Sequence, residues 1–302
     1  MQTTLTTTDT RRRARRGLGI YFAVLLPLTA LIQAVIIYLD LDAGANGVVA
    51  WLVLISALMF VPTIASLAAR LILKEGFGDV SFRFGGRRGR NVVLLSLVFP
   101  VAVGAVAYGL GWATGLVGFR IPPAGWGGWV AGIVVLSVLN VVLSSGEEIG
   151  WRGYMLTRLV DAGVPRPVLT SGLIWGAWHI PLVLWAGYSV GPSPLLSAVL
   201  LMFTSVSLGY VLARVRLETG SVWPAVALHV AWNVVIQAGF DPATTGATRA
   251  MWVGESGILT VLVLVVAASI VSRGQWAYIR VLPASEKPSD PPPGVGARAR
   301  TQ

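Results

Sequence analysis

Two histidines, His179 and His229, and an adjacent acid pair, Glu147 and Glu148, interrupt the long apolar runs of a 302-residue chain. Ionisable groups inside membrane-spanning helices cost at least ~2.5 kcal/mol each at the bilayer centre and by default mark a functional site. The acids lie in Ser145-Gly146-Glu147-Glu148-Ile149-Gly150-Trp151-Arg152. Glu148 and Arg152 are four residues apart, so on a helix they share a face and can form an ion pair that eases the burial of either. Glu147 is turned about 100° away from Glu148 and is available to a cavity. His229 and Asn233 are also four apart and present an imidazole and a carboxamide together. His179 follows Trp175 and Trp178 and precedes Pro181, which predicts aromatic bulk and a kink just past the histidine.

Hydrolysis of an amide needs a base for water, a group that protonates the leaving amine, and donors for the tetrahedral oxyanion. Glu147 in a low-dielectric site suits the general base. His179 suits orientation of the water or transfer of its proton, and His229 with Asn233 suits the oxyanion. A second arrangement is open: Glu147, His179 and His229 as ligands of a divalent metal such as zinc, with water completing the site. The chain has no cysteine, which excludes a thiol nucleophile, a thiolate metal site and a disulfide. Each group also has an ordinary use. Glu147, Glu148 and Arg152 could decorate a helix end, His179 could be a packing residue, and His229 with Asn233 could form an interhelical hydrogen bond worth ~1 kcal/mol.

The elements that carry these residues are membrane helices. Hydrophobic residues make up 55% and charged residues 12% of the chain, and mean hydropathy is +0.74, which excludes an ordinary soluble domain. Apolar runs near 18–39, 48–73, 91–112, 129–146, 167–186, 193–213, 221–238 and 251–272 predict an all-α polytopic membrane protein of eight transmembrane helices, with the site inside the helical bundle. The net charge of +10 resides in short clusters between these runs, with no aromatic-interleaved patch, so nucleic acid is not an expected partner. With eight helices and both termini in the cytoplasm, only Arg120 and Arg249 of the 23 Lys and Arg residues fall outside. This predicts a multi-pass cell-membrane protein. The first apolar run is too long for the ~7–15-residue core of a signal peptide and is expected to remain as a helix. Residues 1–16 are expected to be a disordered basic tail, 17–282 the membrane domain with its motif core at 147–233, and 283–302 a disordered Pro-rich tail.

Depth ties the candidates together. At the helical rise, Glu147 lies roughly 16 Å from Arg158, and His179 and His229 each lie roughly 20 Å from Arg166 and Arg216. Three helices thus bring Glu and His to nearly one level, which weakens the ordinary readings jointly.

The three motifs resemble those of the intramembrane proteases related to the CAAX prenyl endopeptidase, the CAAX proteases and bacteriocin-processing enzymes. Glu147-Glu148-Ile149-Gly150-Trp151-Arg152 is similar to Glu-Glu-x-x-x-Arg, Trp175-Gly176-Ala177-Trp178-His179 to aromatic-x-x-x-His, and His229-Val230-Ala231-Trp232-Asn233 to His-x-x-x-Asn. The second departs in having Trp175 where the family more often has Phe. The resemblance implies an eight-helix protease whose chamber is reached from the cytoplasmic leaflet. It implies that Glu147 and His179 activate water, that His229 and Asn233 hold the oxyanion, and that Glu148 and Arg152 support them. The implied substrates are membrane-associated proteins or peptides, with or without a metal cofactor. Proton-coupled transport also uses Glu and His in a membrane interior, and a bacteriocin-immunity protein would share the motifs, so a non-proteolytic membrane protein is the alternative. Transporter-like internal repeats are not evident in the sequence.

Overall fold

The computed structural model describes residues 7–41, 47–80, 82–84, 86–188 and 191–272. The chain is built from helices α1 Thr7–Tyr38, α2 Val48–Leu73, α3 Gly86–Ala113, α4 Gly125–Gly150, α5 Leu156–Asp161, α6 Pro167–Trp185, α7 Pro194–Thr219, α8 Trp223–Asn233, α9 Arg249–Trp252 and α10 Ile258–Ser272. A π-helical turn, Trp151–Met155, joins α4 to α5, and a second, Val234–Phe240, extends α8. A two-residue antiparallel pair, β1 Gly118–Phe119 with β2 Thr244–Thr245, clips the α3–α4 loop to the segment after α8.

Among the described residues six segments are long and apolar enough to cross a membrane: Thr8–Tyr38, Val48–Leu73, Gly86–Ala113, Gly125–Asp161, Pro167–Trp185 and Pro194–Thr219. The protein is therefore a multi-pass helical membrane protein. The expected count of eight is not met on these criteria, because the runs near 221–238 and 251–272 form shorter helices. The first of these is divided between α8 and its π-turn, and the second begins only at Ile258. Helix α1 begins at Thr7, earlier than the boundary expected at 17. Its first turns are held in place: Ala14 is buried, and Arg13 donates to Glu75 Oε1 at 3.3 Å and to the Leu73 carbonyl at 2.8 Å. The tail expected at 283–302 lies outside the described residues.

Local sequence explains the helix ends. Pro167 opens α6 where a missing N–H costs nothing, and Ser193 caps α7, its Oγ accepting from Leu196 N at 3.3 Å. Gly220, at φ 64°, closes α7 in the left-handed conformation that glycine adopts without strain. The approach of α2 to α4 depends on Gly150, where a Cβ would lie 2.2 Å from the Pro62 carbonyl carbon. That contact brings the acid pair into the bundle. The other flank of α4 is outward, with Val130, Val134, Val138 and Val142 exposed as a lipid-facing stripe.

One end of the bundle is an ionic lattice. Glu75 accepts from Arg13 and from Arg158, the latter at 2.8 Å, while Asp79 pairs with Arg70 and Arg158. Arg70 of this lattice and Arg216, which donates to the Asp79 carbonyl, reach inward to the π-turn. Arg216 Nε donates to the Arg152 carbonyl at 3.2 Å and Arg70 Nη2 to the Gly153 carbonyl at 3.3 Å. Both bonds fall on backbone carbonyls of the widened turn. The second π-turn is treated alike, since Trp129 Nε1 donates to the carbonyls of Ala238 at 2.9 Å and Gly239 at 3.1 Å.

Candidate active site

Glu147, His179, His229 and Asn233 all line one cavity of about 200 Å³ between α2, α4, α6, α7 and α8. Four residues separated by up to 86 positions in sequence thus meet in one cavity. Arg216 lies on α7 and His229 six residues into α8, so the depth counted from Arg216 along one helix does not apply. Glu148 and Arg152 stand behind this wall and are fully buried. Arg152, counted in the sequence among the membrane-face cations, is therefore an interior residue.

The acid pair splits into two environments. Glu147 Oε2 accepts the indole N–H of Trp175 at 3.0 Å and that of Trp151 at 3.3 Å. Its other oxygen is left to the cavity. Glu148 Oε1 accepts from Arg152 Nη1 at 2.8 Å and from His229 Nδ1 at 2.9 Å. The i to i+4 spacing thus produces the expected ion pair, and the carboxylate also reaches across to α8.

Both imidazoles are fixed in orientation by their Nδ1 atoms. The Nδ1–H of His179 donates to the Trp175 carbonyl at 2.8 Å, which leaves Nε2 as a lone pair when the ring is neutral. His229 donates from Nδ1 to Glu148, so a proton on its Nε2 makes the ring an imidazolium with Glu148 as counter-ion. Asn233 Nδ2 donates to Asn140 Oδ1 at 3.1 Å and has a second N–H to spare. Asn140 is itself steadied by donation to the Leu136 carbonyl at 2.9 Å.

Trp175 touches nearly every member. Its indole N–H serves Glu147, its carbonyl serves His179, and the Arg152 guanidinium lies 4.4 Å from its ring centroid. Its ring also meets His229 edge-on at 5.4 Å. The substitution of Trp for Phe at this motif position therefore adds a hydrogen-bond donor as well as bulk. Trp178 anchors the same helix to α1, donating to Thr29 Oγ1 at 2.9 Å, while its carbonyl accepts from Gln33 at 2.8 Å.

Asn140, Gln237, Tyr188 and Glu255 are among the cavity residues that were not anticipated. Asn140 lies seven residues before Glu147 and Gln237 four after Asn233, so both continue a helix face and their spacing carried a signal. Tyr188 and Glu255 come from loops; Glu255 falls within the apolar run expected as a helix at 251–272, where an acid was itself a signal. Tyr188 stacks on His179 with ring centroids 6.0 Å apart and donates to Glu255 Oε2 at 2.8 Å. Glu255 Oε1 accepts from Gln237 at 3.0 Å, and its carbonyl accepts from Thr204 at 2.7 Å. Outside the membrane helices, burial and the nearby negative charge of Glu255 push the Tyr188 phenol well above its ordinary pKa, so it is a hydrogen donor at neutral pH.

Among the described residues no three His, Asp or Glu side chains gather as a metal-ligand group. The expected set Glu147, His179 and His229 is not gathered as a ligand group here, and no step below is routed through a metal.

Carboxylate, imidazole and carboxamide groups of a helical membrane protein thus converge on one interior cavity. Residues 126–235 match the family model of the Rce1-like type II CAAX prenyl endopeptidases, which bears out the resemblance carried by the three motifs. The family points to a peptidase. No match is found among curated proteins.

Proposed function

We propose that the protein is an intramembrane endopeptidase that hydrolyses peptide bonds of membrane-associated proteins or peptides with water activated by Glu147 and His179. The observation that carries this reading is the convergence of Glu147, His179, His229 and Asn233 on a single cavity, with Glu148 and Arg152 holding it from behind. Water between Glu147 and His179 Nε2 gives its proton to Glu147 as its oxygen bonds the scissile carbonyl carbon. The oxyanion so formed is met by the spare N–H of Asn233 and by His229 Nε2–H, whose imidazolium is balanced by Glu148. The proton held by Glu147 then passes to the leaving nitrogen as the C–N bond breaks.

The finer topology belongs to the same reading. α8 with its π-turn and α10 complete an eight-pass bundle in the cell membrane with both termini cytoplasmic, which collects the arginine clusters on one side. Cleavage of an internally quenched peptide library by detergent-purified protein tests the activity. Wild type is expected to cleave, and Glu147→Ala, His179→Ala and His229→Ala to lose the activity; unimpaired cleavage by all three would refute the assignment. Chelator treatment is expected to leave the rate unchanged, and stoichiometric zinc with chelator-sensitive cleavage would overturn the metal-free mechanism.

A further inference from the structure

We infer, on the protease reading above, that Glu255 is a positioning residue of the hydrolytic site: its carboxylate joins the tyrosine that backs His179 to the helix that carries His229 and Asn233. Glu255 sits in the short turn between α9 and α10, which is closed by donation from Gly257 N to the Gly254 carbonyl at 3.2 Å. Helix α7 holds this turn in place, because Thr204 Oγ1 donates to the Glu255 carbonyl at 2.7 Å. The residue is buried, and it lines the same cavity as Glu147, His179, His229 and Asn233.

Each carboxylate oxygen takes one half of the site. Oε2 accepts the Tyr188 hydroxyl at 2.8 Å, and Oε1 accepts Gln237 Nε2 at 3.0 Å. Tyr188 belongs to the water-activating half. Its N–H folds back to the Leu182 carbonyl of α6 at 3.2 Å, and its ring lies along the His179 imidazole with centroids 6.0 Å and planes 22° apart. Trp175 and Trp178, from the same helix as His179, meet that imidazole edge-on at 79° and 89°. Tyr188 thus covers the ring from the loop after α6, and the loop is anchored through Glu255. Gln237 belongs to the oxyanion half, four residues past Asn233 in the π-turn that extends α8.

A carboxylate suits this place because it accepts on both oxygens and can take two convergent donors at once. Both donors are neutral, and a carboxylate kept in a buried wall is costly enough that a space-filling role does not account for it. Hydrolysis requires the water held by Glu147 and His179 to stay in register with the oxyanion donors His229 and Asn233. A misplacement of about 1 Å can cost ~100-fold in rate. The Tyr188–Glu255–Gln237 link braces the two halves against each other, separately from the bond between Glu148 and His229.

The two histidines of the chain permit a test that needs no catalysis. Full-length protein labelled with carbon-13 at histidine Cε1 gives two imidazole signals in detergent, and His229→Gln assigns them by removing one. Tyr188→Phe keeps the ring and deletes the hydroxyl, whereas Glu255→Ala deletes the brace. Glu255→Gln restores an acceptor for Tyr188, with Gln237 able to turn its own oxygen toward the new amide. Tyr188→Phe and Glu255→Ala are expected to shift the His179 signal and to leave that of His229 in place, and Glu255→Gln to return it toward the wild-type position. A His179 signal unmoved in both variants, or a His229 signal displaced equally, would overturn the inference. Should Glu255→Ala not fold, Tyr188→Phe, which removes a single oxygen, carries the same test. In quenched-peptide cleavage, Glu255→Ala is expected to lose about 10–100-fold in kcat with KM little changed. Tyr188→Phe/Glu255→Ala should be no slower than Glu255→Ala, because the hydroxyl acts through the carboxylate. Multiplied losses in the double variant, or a fall in Tm with kcat intact, would also overturn it. Absence of cleavage by wild type would instead refute the protease reading, while the histidine signals still decide the positioning role.

Discussion

Replacing Arg152 with methionine separates the structural from the chemical role of the buried ion pair. Arg152 Nη1 lies 2.8 Å from Glu148 Oε1, and the two side chains are 1% and 0% exposed. Unit charges ~4 Å apart attract by about 4 kcal/mol at an effective dielectric of ~20, and removing one member of a buried pair destabilises by about 3–5 kcal/mol. Glu148 keeps its bond from His229 at 2.9 Å, so a loss near the lower end, about 3 kcal/mol, is expected for Arg152→Met. Removing both charges in Glu148→Gln/Arg152→Met leaves no orphaned ion, and such replacements are often neutral or stabilising by ~1–4 kcal/mol, so most of the lost stability should return. Activity should not return with it. Glutamine can accept from His229 Nδ1 but cannot balance an imidazolium, and a lost oxyanion donor costs roughly 100–1000-fold in rate. Thermal unfolding in detergent, read beside quenched-peptide cleavage, measures both quantities. A double variant no more stable than Arg152→Met, or one that regains wild-type cleavage, would refute the reasoning.

Asn140→Ala should lower kcat with little change in KM, because it frees the Asn233 carboxamide to rotate, and Asn140→Asp, which keeps the acceptor, should restore part of the loss; steady-state kinetics distinguish these outcomes. Gly150→Ala should lower Tm through an overpacking penalty of about 1–3 kcal/mol where α2 touches α4, measured by thermal denaturation. Asp241, in the turn after the second π-turn, has its carboxyl raised to about 6, first by burial and further by Glu255, against the opposing Tyr108 hydrogen bond and Arg249 charge. The folded state therefore holds this proton more tightly than the unfolded state, and the stability so contributed is complete below the unfolded value near 4 and lost as pH rises through about 6. Asp241→Asn should nearly match wild type in Tm at pH 4, exceed it increasingly as pH rises toward about 6 and level off above that, with a limit of about 3 kcal/mol; a constant difference across that range would contradict it.

The helix positions and the three motifs were legible because apolar length and four-residue spacing are written directly in the order of residues. Glu148 and Arg152 announced their bond by spacing alone, whereas the depth counted for His229 from Arg216 assumed one continuous helix where the chain turns between α7 and α8. The reach of Glu148 to His229 was not legible, since it depends on how α4 and α8 cross. Nor was the donor role of Trp175, because an indole in an apolar run reads as bulk until its N–H is seen against a carboxylate. Tyr188 and Glu255 lay in loops whose course no periodicity predicts. The span count exceeded the long helices observed because hydropathy records apolar composition, while a π-turn and a late helix start shorten the regular segment. The early start of α1 escaped notice because Arg13 finds its partners some 60 residues away, at Leu73 and Glu75.

The two π-turns tie the evolution of the motifs to residues that never face the cavity. Loss of one residue from Trp151–Met155 or Val234–Phe240 would return the helix to an α register and rotate everything beyond by about 100°. The carbonyls now held by Arg70 and Arg216, or by Trp129, would then turn away from their donors. Among relatives, a length change directly after either motif should therefore be accompanied by substitution at the corresponding donor positions, giving a covariation between distant helices that no direct contact with the cavity would predict.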